Sequence, residues 1–180
     1  VILTIGGCRS PLTVTRVLSA DTIVLSDGSQ VRYAGVTAPA ADSSWHQFCR
    51  EANAYLVQGK PVKITVEPAI SQPDHLVGYV YTPVMVGKQT KYLFVNAELV
   101  RYGFALANPP ADQCRHPQLW QSLWQLQENE VRPQRRGIWS GKTPEQYYRK
   151  QKLWPSNQQK QPANPATPTK HRRENGDGKP

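Results

Sequence analysis

Apolar residues recur in short alternating runs at Val14, Val17, Ile23, Leu25, Val31 and Val36, and Asp27-Gly28 interrupts them where a tight turn belongs. This two-residue period predicts strands near Leu12–Leu18, Thr22–Leu25 and Gln30–Val36. Ala38 to Ser44 reads as loop. Phe48, Ala52, Tyr55 and Leu56 then recur at helical spacing, with Gly59 as the stop. Val62–Val66 and Val77–Tyr81 alternate as a fourth and a fifth strand, and Pro83–Thr90 reads as a polar, lengthened connection. Val95–Tyr102 is a short predicted helix closed by Gly103. A longer one, Gln118–Arg132, begins after Pro117 and is stopped by Pro133. Trp120, Trp124 and Val131 fall on one side of it with Leu119, Leu123 and Leu126 beside them, a stripe that packs on a core rather than a platform for stacking bases. Trp139 is expected to seal the end of the domain.

Short strands with a helix between the third and fourth predict an α+β protein, mainly β. The arrangement matches a five-stranded Greek-key barrel of the OB-fold type with about three helices. Residues 12–141 form the predicted domain, long enough to bury roughly two-thirds of its unfolded surface. Residues 1–11 are a leader and 142–180 a tail. No internal repeat is visible, and a monomer is expected.

Charge changes the picture once it is divided along the chain. The formal net charge is +9. Residues 1–141 hold 13 Lys/Arg against 10 Asp/Glu, a net +3, whereas residues 142–180 hold 9 against 3, a net +6. The count therefore gives no evenly basic binding face to the domain. Gln, Pro, Asn and Lys dominate the tail, which is expected to be disordered beyond a possible helical turn or two at Glu145–Leu153. Its Lys170-His-Arg-Arg173 run could touch phosphate or anionic lipid.

Val1-Ile-Leu-Thr-Ile5-Gly6-Gly7-Cys8 is apolar, ends in small residues and a cysteine, and is too short to span a bilayer. It reads as a clipped signal peptide and resembles a bacterial lipobox, with Cys8 as the lipidated residue. An exported protein is expected, either a cell-envelope lipoprotein held by acyl chains on Cys8 or a secreted one. Cys49 and Cys114 remain as an even pair. One disulfide, which chain entropy makes worth about 4 kcal/mol, is the reading that suits an exported chain. Two buried free thiols are the alternative. Zinc-binding spacing is absent.

Candidate chemistry sits in the first hairpin, where Asp21 and Arg32 stand inside otherwise apolar strands and should face each other across them. As a structural feature the pair simply bridges two strands. The run Ala20-Asp21-Thr22, then Arg32, then Val36-Thr37-Ala38-Pro39-Ala40 resembles the staphylococcal nuclease (thermonuclease) family, whose pattern reads Asp-Gly-Asp-Thr, then Arg, then Asp-Thr/Ala-Pro-Glu. Similarity continues through Phe48–Lys60, Asp74–Tyr81, Val95-Asn96-x-x-Leu99-Val100-Arg101-x-Gly103 and Gly137-Ile138-Trp139. Ala20 replaces a Gly, Thr37 falls where the second metal-ligand Asp belongs, and Ala40 takes the place of the catalytic Glu. The family's second arginine is missing, and His75 stands nearest to its position.

Active members of that family hold calcium on carboxylates, steer water with the Glu and grip phosphate with two arginines. The resemblance makes Arg32 a remnant of this machinery and His75 a weak substitute for an arginine fork. It makes Asp21 one metal ligand, Thr37 an uncharged one, and Asp42 a residue that could bend back to help. Two functions follow. The first is a binding module for nucleic acid or a protein partner with little or no hydrolysis and no cofactor. The second is a calcium-dependent phosphodiesterase that cuts DNA or RNA with a rearranged site.

Overall fold

A computed structural model describes residues 11–149 apart from Ala111 and Gln113. Cys8 and the tail from Lys150 onward lie outside the described residues. Strands β1 (Val14–Ser19), β2 (Thr22–Leu25) and β3 (Gln30–Tyr33) form an antiparallel meander. The β2–β3 turn closes where expected. Gly28 adopts φ 87, and Asp27 Oδ1 accepts from both the backbone N–H and the hydroxyl of Ser29.

After the two-residue strand β4 (Val36–Thr37) and helix α1 (His46–Val57), strand β5 (Lys63–Val66) lies antiparallel to β6 (His75–Val86). The sheet order is β1-β2-β3-β6-β5, with β3 and β6 parallel. A Thr13–Pro61 bridge and the bonds Val14 N–H to Lys60 O and Val62 N–H to Leu12 O bring the start of β1 onto the start of β5. The sheet thus curls into an OB-type barrel. Ile23, Val31, Tyr33, Tyr79, Val80 and Leu99 fill it, all essentially inaccessible.

Among the described residues four α-helices pack on this barrel or on one another: α1, α2 (Val95–Arg101), α3 (Pro117–Leu126) and α4 (Pro144–Arg149). None among the described residues is long and apolar enough to cross a membrane. The last one packs back. Tyr147 and Tyr148 sit against Trp45 and Phe48, and Trp45 Nε1 donates to Lys142 O at 2.8 Å, so the packed body runs past Gly141.

Three expectations need correcting. The stretch Pro83–Thr90 is strand, not loose connection: β6 continues to Val86 and returns as β7 (Gln89–Phe94) around Gly87, which adopts φ 61. Pro83 is tolerated because the β5 ladder has already ended at Lys63 opposite Tyr81, so its missing N–H breaks no pairing. The long C-terminal helix is not uniform. It loosens into a π turn at Gln127–Val131, which lets the buried Gln127 amide accept from Ala107 N–H at 2.6 Å and donate to Ala107 O at 3.2 Å, serving the short strand β8 (Leu106–Ala107).

The cysteines, finally, are both free. Cys49 on α1 is buried with Ala20 and Trp45. Cys114 lies on the approach to α3, in a loop that the buried Glu67 carboxylate holds through Arg115 N–H at 2.6 Å and His116 N–H at 3.0 Å. The two thiols serve different packing regions, and no bond joins them.

Two outcomes follow from this packing. Burial pushes the Cys49 thiol up to about 12 from its ordinary 9.0, and burial aided by the Asp21 charge pushes the Tyr33 phenol up as well. Both groups lose their protons more readily in the unfolded chain. Stability is therefore intact below about pH 9 and falls as pH rises from there toward 12, which thermal melts across pH 7 to 11 will show as a declining midpoint. In the second case Asn96, fully buried, accepts from Val80 N–H at 3.0 Å and donates to Ala34 O at 2.9 Å. Asn96→Ala leaves both backbone groups unpaired and should lower the unfolding free energy by about 3 kcal/mol in urea titration.

Candidate functional site

Register builds the site. Thr22 lies opposite Arg32 across β2–β3, Arg32 opposite Val77 and Gln30 opposite His75 across β3–β6. Residues two apart share a face, so Thr22, Gln30, Arg32 and His75 point to the same outer side of the barrel. Beyond them the short helical turn Pro68–Ile70 and the following Gln72 raise a wall. The result is an open cleft of about 400 Å³ in which Thr22, Gln30, Arg32, Gln72 and His75 stand beside the apolar Ile70, Leu76 and Val77.

Asp21 borders this cleft but does not open into it. It is 6% exposed, and both carboxylate oxygens are engaged. Oδ1 accepts from the Ser19 hydroxyl at 2.5 Å and the Thr22 hydroxyl at 3.1 Å, while Oδ2 accepts from Ala38 N–H at 3.0 Å. Arg32 Nε stands 3.9 Å from Oδ2, and the arginine side chain is 60% exposed. So loose a surface pair contributes about 0–1 kcal/mol. The guanidinium keeps most of its donors for another anion.

The remaining predicted residues are dispersed. His75 is exposed and shares the cleft with Arg32. Thr37 turns away, its hydroxyl paired with the Asn108 side-chain amide at 3.0–3.1 Å. Ala40 and Asp42 are exposed in a loop whose turn is closed by Ser43 N–H to Ala40 O. His46 Nδ1 lies 2.9 Å from Pro39 O and anchors that loop to α1. Sequence reasoning missed Gln30, Ile70 and Gln72 as cleft residues. Gln30 was accessible from strand alternation with Arg32, but the wall of Ile70 and Gln72 carries no local signature beyond Pro68.

Chemically, the cleft offers one guanidinium, one imidazole and two amides, a donor set suited to a phosphate or similar oxyanion, while the Thr22 hydroxyl already donates to Asp21. Calcium does not fit it. That ion takes six to eight oxygens, usually including several carboxylates. Among the described residues no group of three or more His, Cys, Asp or Glu is placed to hold a metal, and Asp21 already satisfies three donors. Asp21→Ala removes the acceptor for all three and should lower stability by about 2–3 kcal/mol. The same loss is expected in calcium and in chelator, and a calcium-dependent difference between the two melts would contradict this assignment.

Among curated proteins none matches the chain. The family model described as staphylococcal nuclease homologue matches residues 30–141, from β3 through the turn that carries Trp139. That span covers more than half of the chain and most of the barrel with its helices, and the chain therefore belongs to the family of staphylococcal nuclease homologues.

Proposed function

We propose that this protein is a binding module of the staphylococcal nuclease fold that takes nucleic acid on the Arg32 cleft and hydrolyses it little or not at all. The engagement of Asp21 by Ser19, Thr22 and Ala38 N–H carries this reading. Phosphodiester hydrolysis needs an oriented water, a group to activate or steer it, and cations for the charge that grows on the phosphoryl oxygens. Ala40 has no group to steer water. His75 has no planar fork to hold phosphate in two places. Loss of one transition-state arginine lowers phosphoryl-transfer rates by about a thousandfold or more, and loss of one preorganised donor by about a hundredfold.

Binding makes lighter demands. A single exposed arginine flanked by Thr22, Gln30, Gln72 and His75 suffices to hold a backbone phosphate without distorting it. The proposal includes export, with Cys8 as a lipid anchor or a secreted form as the variant, and a monomer whose basic tail adds electrostatic attraction. The lipobox-like run at Ile5–Cys8 and the +6 charge of residues 142–180 support those parts.

The test uses the full chain with a single-stranded oligonucleotide at two salt concentrations, with calcium or a chelator. Binding that weakens with salt, drops about tenfold in Arg32→Ala and leaves the strand uncut is the expected result. Calcium-dependent cleavage abolished by Arg32→Ala would replace it with the phosphodiesterase reading, in which Asp21, Asp42, Arg32 and His75 rearrange around the ion. Unchanged oligonucleotide binding in Arg32→Ala would move the ligand off this cleft, toward the tail or a protein partner.

A further inference from the structure

β6 and β7 continue past the barrel as a two-stranded arm. The ladder with β5 ends at Lys63 opposite Tyr81, and from Thr82 to Val86 the ladder of β6 is with β7. At about 3.3 Å per residue this carries Val86, the last residue before the turn, roughly 17 Å beyond the last β5 pairing at Tyr81. Its end is apolar. Met85 is 67% exposed and Val86 50%, with Tyr92 set back from the tip at 46%.

Cross-strand register puts Met85, Pro83 and Tyr92 on one face with Lys63, whose Nζ lies 3.8 Å from the Tyr92 ring centroid. The opposite face carries Val84, Val86 and Lys91, and Lys88 occupies the turn. No Asp or Glu occurs from residue 75 to residue 97. The arm therefore pairs an aliphatic tip with lysines and a tyrosine, and has no negative charge of its own.

We infer that this arm docks on an anionic lipid surface. Aliphatic tip residues enter the boundary between headgroups and acyl chains, a tyrosine sits at headgroup level, and lysines reach the phosphates on their flexible stems. Lys63, Lys88 and Lys91 are placed for that last contact, and Met85 with Val86 for the first. Single-stranded nucleic acid is less well matched. It asks for open aromatic faces in line with cations, whereas this arm's most exposed large apolar side chain is a methionine and Lys63 already covers its tyrosine. The contact is separate from the Arg32 cleft and does not require lipid on Cys8, so it stands or falls independently of the nucleic-acid reading.

The basic tail can also attract anionic lipid, so the decisive variant leaves every lysine in place. Full-length protein is sedimented with vesicles of phosphatidylcholine alone, and with vesicles in which phosphatidylglycerol makes up about one third of the lipid. The parent chain should bind the anionic vesicles far better. Met85→Asp with Val86→Asp should lower that partitioning about tenfold, and Lys88→Ala with Lys91→Ala by a similar factor. Thermal midpoints should stay at the parent value, because all four residues are exposed, and Arg32→Ala should bind vesicles like the parent. Parent-like partitioning of the double aspartate variant would overturn the inference and assign lipid binding to the tail. Loss of oligonucleotide affinity in that variant, with vesicle binding intact, would overturn it in favour of nucleic acid.

Discussion

The carboxylate of Asp21 ties the β1–β2 junction to the chain that leaves β4 at the mouth of the barrel. A buried ionised oxygen needs donors, and this one finds the hydroxyls of Ser19 and Thr22 at the β1–β2 junction and the N–H of Ala38 at the end of β4. The bond to Ala38 sets where the chain leaves β4, and so where Pro39 and Ala40 are delivered. The same engagement leaves Arg32 with only a distant ion pair and a largely exposed guanidinium. One carboxylate thereby becomes structural and one arginine becomes available, and the chemistry open to the cleft follows from that division.

The device recurs through the molecule. Asn53 on α1 accepts from the Tyr33 hydroxyl and donates to Ser19 O, which links the helix to the strand end that Asp21 also serves. Asn96 joins β6 to the chain after β3, Gln127 holds both backbone groups of Ala107, and Glu67 holds the N-terminal approach to α3. These buried polar side chains satisfy backbone groups that strand ladders and helix turns leave without a partner. In the β6–β7 arm the buried Thr82 hydroxyl reaches Pro61 O at 3.5 Å at the base, while Met85 and Val86 toward the tip are exposed.

Close approach of glycines explains part of the family pattern in physical terms. A Cβ on Gly103 would collide with Arg136 O, and one on Gly137 with Gly103 O. The turn after α2 and the turn that carries Trp139 therefore touch backbone to backbone, and side chains cannot be inserted at either position. Arg132 then lies over the Trp139 ring at 4.6 Å, closing the C-terminal end of the barrel.

Much of the fold was legible in the chain because its signals are local. Alternation around Ile23, Leu25 and Val31, the Asp27-Gly28 turn, the helical spacing from Phe48 to Leu56 and the Pro117 start each depend on neighbours a few residues apart. The facing of Asp21 and Arg32 followed from the hairpin, and the family resemblance put His75 nearest the missing second arginine. Other features depend on atoms distant in sequence. Pro83 reads as a breaker until the end of β5 leaves its N side unpaired; Gln127 reads as helix until Ala107 claims its amide; Cys49 and Cys114 read as a pair until α1 and the Glu67 loop take them apart. The sequence by itself determined the elements, their order and the shortage of carboxylates near Arg32. Only the tertiary structure decided that Asp21 is already satisfied by Ala38 N–H and that Ile70 and Gln72 wall the cleft, because hydrogen-bond satisfaction is a property of the distances between folded segments, which no local pattern encodes.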